Sequence, residues 1–257
     1  MKSLWLDWPK LKRKVRSSKK KLLLLDFDGT LVPIAQHPQD VVLDQRTAKA
    51  LNDLGRSRFF RIAIISGRSV KDLKKYFSLK NLIFIGNHGF EMKGNDFSKF
   101  TELKKAKKIQ RSIEFLVQKL KEKFRNIPGV WLEDKKYTLS LHFRNLSKTY
   151  LNLFQETLNN FKKMSSGLPV VWRRGKKVWE IRPKVSWGKG EAALYLSKRF
   201  PKTLPIVIGD DETDEDIFRA VGRHSLTIRV GFTKKSRADY YLRSTREVAK
   251  FLEEICH

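Results

Sequence analysis

The sequence predicts an α/β protein: a doubly wound parallel-sheet core carrying an inserted α+β cap of αββαββ order. Two observations predict the core. The apolar runs Leu22–Leu25, Phe59–Ile65 and Leu204–Ile208 have strand length, and each hands over to polar residues at its carboxyl end. Buried parallel strands read as such runs, and ligands of open α/β sheets sit beyond those ends. A third observation predicts the cap, because the middle of the chain switches to helical stripes and strict alternation.

In chain order, residues 1–20 read as a basic N-terminal arm holding Trp5, Trp8 and Leu11, either packed on the core or free. The core takes residues 21–91 and 184–257. Its first part has strands at Leu22–Asp26, Phe59–Ile65 and Leu82–Ile85, separated by helices at Gln45–Leu54 and Ser69–Tyr76. Its second part has a helix after Lys189, a strand at Leu204–Ile208, a helix to Val221 and short terminal elements.

The cap is assigned residues 92–183. Ala106, Ile109, Ile113, Leu116, Leu120 and Phe124 recur at helical spacing, as do Leu151, Phe154, Leu158 and Phe161, and both stripes face a core. Tyr137, Leu139, Leu141 and Phe143 alternate with Thr138, Ser140, His142 and Arg144, the pattern of a strand with one packed face. Lys177–Arg182 alternates likewise, with Val178, Glu180 and Arg182 on one side. One face of the cap sheet is therefore expected on the helices and the other, polar, face is expected to roof an active site.

Chemistry gathers at the core strand ends. Asp26 and Asp28 stand on either side of Phe27, just before a glycine turn and Thr30. Two carboxylates at that spacing suit one nucleophile and one acid/base, with a divalent cation offsetting their repulsion. Ser66-Gly67-Arg68 opens a helix pattern, where a hydroxyl and free amides bind phosphate oxygens. Lys189 opens another helix. Gly209–Asp216 holds six acids in eight residues, in a chain with only 27 acids in all. Such density repels itself unless a cation is near, although acids also favour a helix N-terminus. Asp210, directly after the strand, is the ligand candidate.

The four motifs DFDGT, Ser66, Lys189 and GDDETD resemble, in order and placement, the haloacid dehalogenase-like phosphatase superfamily. That resemblance implies Asp26 as nucleophile and Asp28 as acid and base. It implies Ser66, Gly67, Arg68 and Lys189 as phosphate-binding residues. Mg2+ would be held by Asp26, the Asp28 carbonyl and Asp210, with Asp214 at the metal site and Asp211 and Asp214 either ligating or orienting.

Three further strings, GNHGFE (Gly86–Glu91), LEDKKYTLSLHFR (Leu132–Arg144) and GKKVWEIRP (Gly175–Pro183), make the chain similar to the trehalose-6-phosphate phosphatase family. This implies Glu133, Lys135, His142, Arg144, Lys176 and Glu180 as contacts to sugar hydroxyls, with His142 alternatively a brace for the sheet. The substrate implied is trehalose 6-phosphate. Another sugar phosphate, such as a glucosyl- or mannosyl-glycerate phosphate, stays open. At this length the resemblance implies a free-standing phosphatase without a glycosyltransferase domain.

Composition bounds the rest. The 257 residues suit one doubly wound domain plus an insertion, and no apolar stretch approaches a membrane span. The N-terminus lacks the apolar core of a signal peptide, so a cytoplasmic protein is expected. Cys256 is the sole cysteine, which excludes an intrachain disulfide and a cysteine metal cage. The net charge is +28, with eight basic residues in Lys10–Lys21 and more in Thr101–Arg125. Aromatics do not interleave with those lysines as a stacking platform requires, so no specific nucleic-acid partner is expected. A polyanion-binding protein on an inactive phosphatase scaffold is the rival from another class.

Overall fold

A computed structural model describes residues 1–79, 81–94, 104–175 and 177–256, with backbone alone over 104–109. Lys176, expected at the sugar, and the stripe side chains of Ala106 and Ile109 lie outside the described residues. The strands are β1 (Lys2–Ser3), β2 (Lys21–Leu25), β3 (Phe60–Ile65), β4 (Leu82–Gly86), β5 (Glu91–Lys93), β6 (Trp131–Asp134), β7 (Leu139–His142), β8 (Val170–Gly175), β9 (Val178–Pro183), β10 (Leu204–Gly209), β11 (Leu226–Val230) and β12 (Tyr240–Leu242). The helices are α1 (Trp8–Ser17), α2 (Gln45–Arg56), α3 (Val70–Leu73), α4 (Lys104–Phe124), α5 (Leu151–Met164), α6 (Lys189–Arg199), α7 (Glu212–Ala220) and α8 (Thr245–Cys256). They divide into two compact units, Met1–Thr101 with Trp187–His257, and Glu102–Ser186.

The first unit is built on a sheet of order β1-β12-β11-β10-β2-β3-β4-β5. Every pairing is parallel except the antiparallel edge β4–β5. Strand periodicity explains its two coats. Leu23 and Leu25 point to one face, into a cluster with Leu11 and Val15 of α1, Leu51 and Leu54 of α2, and Phe251 and Leu252 of α8. Leu22 and Leu24 point to the other, among Ala192, Ala193 and Leu196 of α6 and Ile217 and Phe218 of α7. The β2 leucines, Leu22 to Leu25, are fully buried. Each such side chain stabilises the fold by about 1.5–3 kcal/mol. The strand that carries the first aspartates is thus firmly held on both faces.

Residues 1–20, set apart as an arm in the sequence, are folded onto this unit. β1 pairs with β12, Leu4 is fully buried, and Trp8 packs edge-on against Phe251 at 5.4 Å between ring centroids. Lys12 Nζ and Trp8 Nε1 donate to Glu254 at 2.6 and 3.3 Å. The signal was the spacing of Trp8, Leu11 and Val15, one helix face half hidden among lysines.

The second unit follows the αββαββ order. Its antiparallel sheet runs β6-β7-β9-β8. Leu139, Leu141 and Ile181 pack with Ile113, Leu116, Leu120 and Phe124 of α4 and Phe154, Leu158 and Phe161 of α5. The opposite face is less open than alternation suggests, since Thr138 and Ser140 are each only 2% exposed. Ser140 lies across from Glu133 on one side and Glu180 on the other. Two long carboxylate side chains flank a short hydroxyl there.

Candidate active site

Four elements deliver the core motifs to one sheet edge. Leu25 of β2 is in register with Ile64 of β3 and Ile208 of β10, so Asp26, Ser66 and Asp210 leave adjacent parallel strands at the same end. The Asp26 amide still bonds the Ile208 carbonyl at 2.9 Å, which extends the ladder one residue past the strand. Lys189, the first residue of α6, closes the group. Its Nζ donates to Asp26 Oδ1 at 2.7 Å and to Asp214 Oδ1 at 2.8 Å, and all three side chains are buried.

Two glycines permit this convergence. Gly29 has φ of +85°, a conformation costly for other residues, and a Cβ there would strike the Asp210 carboxylate. A Cβ on Gly67 would strike the His88 ring. His88 and Asn87 themselves have φ of 56° and 50° without being glycines. Backbone strain of this kind persists only where surroundings over-determine it, and it clusters at functional sites. Here the His88 amide bonds the Ser66 carbonyl at 2.9 Å and the Asn87 amide bonds the Arg68 carbonyl at 2.7 Å, tying GNHGFE to the Ser-Gly-Arg turn. Glu91, at the end of that string, accepts from the Val70 amide at 2.7 Å and so caps α3.

The acidic segment separates into parts. Asp211 is the N-cap of α7, accepting from the Thr213 amide at 2.7 Å and the Asp214 amide at 3.1 Å. Asp214 Oδ2 accepts from the amides of Asp210 and Asp211 at 3.0 and 3.1 Å, while its Oδ1 holds Lys189. Asp26, Asp210 and Asp214 bring carboxylate oxygens within 4.8 Å of one another, a site with the chemistry of a hard cation. Asp214 thus holds Lys189 with one oxygen and the Asp210 and Asp211 amides with the other, which fixes both beside Asp26.

The electrostatics follow from crowding. Burial raises the Asp26 carboxyl well above its ordinary value, Lys189 opposes this, and Asp210 and Asp211 add to it. Asp210 is raised to about 7, by burial and then by the charges of Asp214 and Asp211. Burial would lower the Lys189 ammonium, yet Asp214 and Asp26 carry it well above its usual range. Burial would raise Asp211, but the Lys189 charge and the Thr213 bond bring it below the usual carboxylate range. One lysine does not neutralise this group.

Ser66 is buried, and its Oγ accepts from the Arg68 amide at 3.1 Å, leaving its proton to donate. The Arg68 side chain, expected on phosphate, instead reaches Asp28. Its Nε and one Nη each donate to an Asp28 oxygen at 2.7 Å, and the other Nη donates to Asp72 at 2.7 Å. Asp72 escaped the sequence reading, although its position four residues on from Arg68 along the chain was the available signal.

In the second unit, Glu133, Ser140, Glu180 and Arg173 form one cross-strand row on β6, β7, β9 and β8. Glu133 Oε2 shares a hydrogen bond with His142 Nε2 at 3.0 Å and pairs with Lys135 at 3.5 Å. Burial would raise the Glu133 carboxyl, but His142 and Lys135 bring it below its ordinary value. The His142 ring also stacks on Trp131 at 3.8 Å, so it is braced on two sides. Glu180 accepts from Arg182 Nε at 2.8 Å. Arg144 falls in the exposed turn beyond β7 and is not part of the row. Arg173, beside Glu180 in that row, was not picked out from the sequence.

The trehalose-phosphatase family model matches residues 24–246. The chain belongs to that family. It is 31% identical over 253 residues to "Probable trehalose-phosphate phosphatase H" of Arabidopsis thaliana, an alignment covering 91% of this chain and 71% of that protein. The C-terminal domain of the C. albicans trehalose-6-phosphate phosphatase superposes with a TM-score of 0.80 at 26% identity, covering 96% of each chain. A haloacid dehalogenase-like hydrolase from Bacteroides thetaiotaomicron, 15% identical, gives 0.64 over 92% of this chain and all of its own, so the fold is of that kind. No described helix is long and apolar enough to cross a membrane.

Proposed function

We propose that this protein is a Mg2+-dependent phosphatase that hydrolyses trehalose 6-phosphate to trehalose and phosphate through an aspartyl-phosphate on Asp26. The observation that carries the reading is the buried Asp26–Lys189–Asp214 triad with Asp210 alongside, at the sheet edge that also receives Ser66. A carboxylate nucleophile divides a difficult hydrolysis into two easier displacements.

The chain's own groups suffice for the proton and bond accounting. Ser66 Oγ and the Gly67 amide hold phosphoryl oxygens, while Lys189 fixes the Asp26 carboxylate. An Asp26 oxygen attacks phosphorus, the bond from phosphorus to the sugar oxygen breaks, and Asp28 delivers a proton to that oxygen. Asp28 then takes a proton from water as the water attacks phosphorus, and the Asp26–phosphorus bond breaks to release phosphate. The donor set of Asp26, Asp210 and the Asp28 carbonyl suits Mg2+, which would neutralise charge on the phosphoryl oxygens. Glu133, Lys135, His142, Lys176 and Glu180, with Arg144 at the exposed turn, would read the sugar hydroxyls, since carboxylates accept and ammonium groups donate.

Phosphate release over a panel of sugar phosphates tests the substrate, with trehalose 6-phosphate expected to be the best. Glu180→Ala should raise KM for trehalose 6-phosphate at least about tenfold, the loss of one charged hydrogen bond. It should leave a small aryl phosphate nearly unchanged. Equal loss on both would make Glu180 only the partner of Arg182, and equal efficiency on glucose 6-phosphate would remove the trehalose assignment.

The cation has its own test. A carboxyl whose folded pKa lies near 7 rather than ~4 stabilises the protein fully below pH ~4, and that contribution is lost as pH rises through 7. Metal-free protein should therefore lose this part of its stability between those limits. Mg2+ requires the ionised form, so its stabilisation should grow over the same range. At a hundredfold excess over Kd it amounts to ~2.7 kcal/mol. Melting curves with Mg2+ or chelator at pH ~5.5 and pH ~8 should show the larger shift at the higher pH. No shift there would remove the cation from Asp210.

A further inference from the structure

Arg68 stands two residues beyond Ser66, where a guanidinium would ordinarily be assigned to the phosphoryl group. Its donors are occupied otherwise. Nε and one Nη engage the two Asp28 oxygens as a fork, both at 2.7 Å. The other Nη bonds Asp72 at 2.7 Å and the Tyr76 hydroxyl at 3.4 Å. Two aromatic rings lie beside it, the guanidinium carbon being 5.2 Å from the Phe27 ring centroid and 5.5 Å from that of Tyr76. The Arg68 side chain is only 6% exposed, whereas Asp28 is 39% exposed and Asp72 30%.

A carboxylate on a two-torsion side chain rotates freely unless both oxygens are held, and a bidentate arginine holds both. The fork takes one lone-pair site on each Asp28 oxygen. The remaining sites stay available for a leaving-group oxygen or a water. Asp72 is fixed in its turn: its amide bonds Ser69 Oγ at 3.1 Å, and its second oxygen accepts from Lys75 at 3.0 Å. Burial alone would lower the Arg68 pKa, yet the bonds from Asp28 and Asp72 carry it above its ordinary value, so the cation is permanent.

We propose that Arg68 is the positioning residue for Asp28, anchored by Asp72 and backed by Phe27 and Tyr76, rather than a ligand of the phosphoryl group. The proposal rests on the reading of Asp28 as the acid and base. It predicts a dependence on leaving group. An alkoxide such as a sugar oxygen departs only with a proton, while p-nitrophenolate departs without one. A positioned general acid contributes about 10²–10⁴-fold, and only where the proton is needed.

The experiment measures kcat and KM for wild type, Arg68→Ala, Arg68→Lys and Asp72→Asn on p-nitrophenyl phosphate, phenyl phosphate and trehalose 6-phosphate. Inhibition by inorganic phosphate is measured alongside. In Arg68→Ala, kcat/KM, which reports only the first displacement, should fall about a hundredfold on phenyl and trehalose phosphates but only a few-fold on p-nitrophenyl phosphate, with phosphate inhibition unchanged. Arg68→Lys cannot form the fork and should recover little. Asp72→Asn keeps Arg68 and should show the same pattern at smaller size, which covers the case of an unstable Arg68→Ala. In an Asp28→Asn background, Arg68→Ala should have no further effect.

Uniform loss across leaving groups, with weakened phosphate inhibition, would return Arg68 to the phosphoryl group and overturn the proposal. Uniform loss of kcat/KM that adds to Asp28→Asn would make it merely structural. Wild type that cleaves both aryl phosphates but not trehalose 6-phosphate would sink the sugar assignment alone, leaving the aryl series to decide on Arg68. An Asp28→Asn enzyme without leaving-group dependence in kcat/KM would sink the acid assignment and the proposal with it.

Discussion

Asp26→Asn should lose turnover by on the order of 10⁴-fold or more while folding as well as the parent. The amide keeps the shape of the side chain and its place after β2, but it cannot form an acyl-phosphate. Stability should move in the other direction. The buried Asp26 carboxyl has its folded pKa raised, first by burial and then by Asp210 and Asp211, which means the ionised form disfavours the fold near neutrality. A neutral amide removes that effect, and Lys189 retains Asp214 as a partner at 2.8 Å. Melting in chelator at pH ~8 should give a Tm equal to or above that of the parent, with the difference shrinking at pH ~5. Phosphate release and melting on one preparation, with its mass checked for deamidation, decide the matter. Normal turnover in an intact Asp26→Asn variant would end the covalent mechanism.

The core was legible because its signals are local. Leu22 to Leu25 can satisfy both faces of a sheet only if helices cover both sides, and the polar residue after such a run falls at the strand's carboxyl end. The N-terminal segment was harder, since Trp8, Leu11 and Val15 make a narrow stripe in a stretch dominated by lysine and arginine. What a sequence pattern cannot give is the partner of a long polar side chain. Arg68 and Asp28 are 40 residues apart, and only the pairing of β2 with β3 brings their elements together. The Arg68–Asp28 fork therefore needed coordinates. The same holds for Asp214: six acids in a row of eight look alike until an N-cap claims Asp211 and two amides and a lysine claim Asp214.

In the second unit, alternation located β7 and β9 but not the depth of burial on the polar face. Glu133 and Glu180 are separated by 47 positions in sequence yet share one cross-strand row through Ser140. With strands ~4.8 Å apart, two strand spacings place their backbones about 10 Å from each other. That span suits the hydroxyls of a disaccharide better than those of a single small ring, and it is a reason to expect the two carboxylates to act on different parts of one sugar.

Lys189→Met should be the most damaging single change to stability and should abolish turnover as well. Its ammonium bonds two buried carboxylates, with side chains of Lys189, Asp26 and Asp214 no more than 5% exposed. Removing it leaves uncompensated buried charge, a defect that costs about 3–5 kcal/mol. For a protein of this size that corresponds to a fall in Tm of roughly 10 °C. The deficit should depend on pH in a definite sense. Asp26 and Asp214 already have folded pKa values raised by burial, and loss of Lys189 removes the main influence that lowers them. Both then favour the protonated form further, so the variant should be closest to the parent at pH ~5 and furthest from it at pH ~8. Adding Asp214→Asn should recover much of the stability, because one of the orphaned charges is gone, while turnover stays lost. A Tm within about 1 °C of the parent at the higher pH, or a double variant no more stable than Lys189→Met, would mean that the lysine does not hold the acidic cluster together.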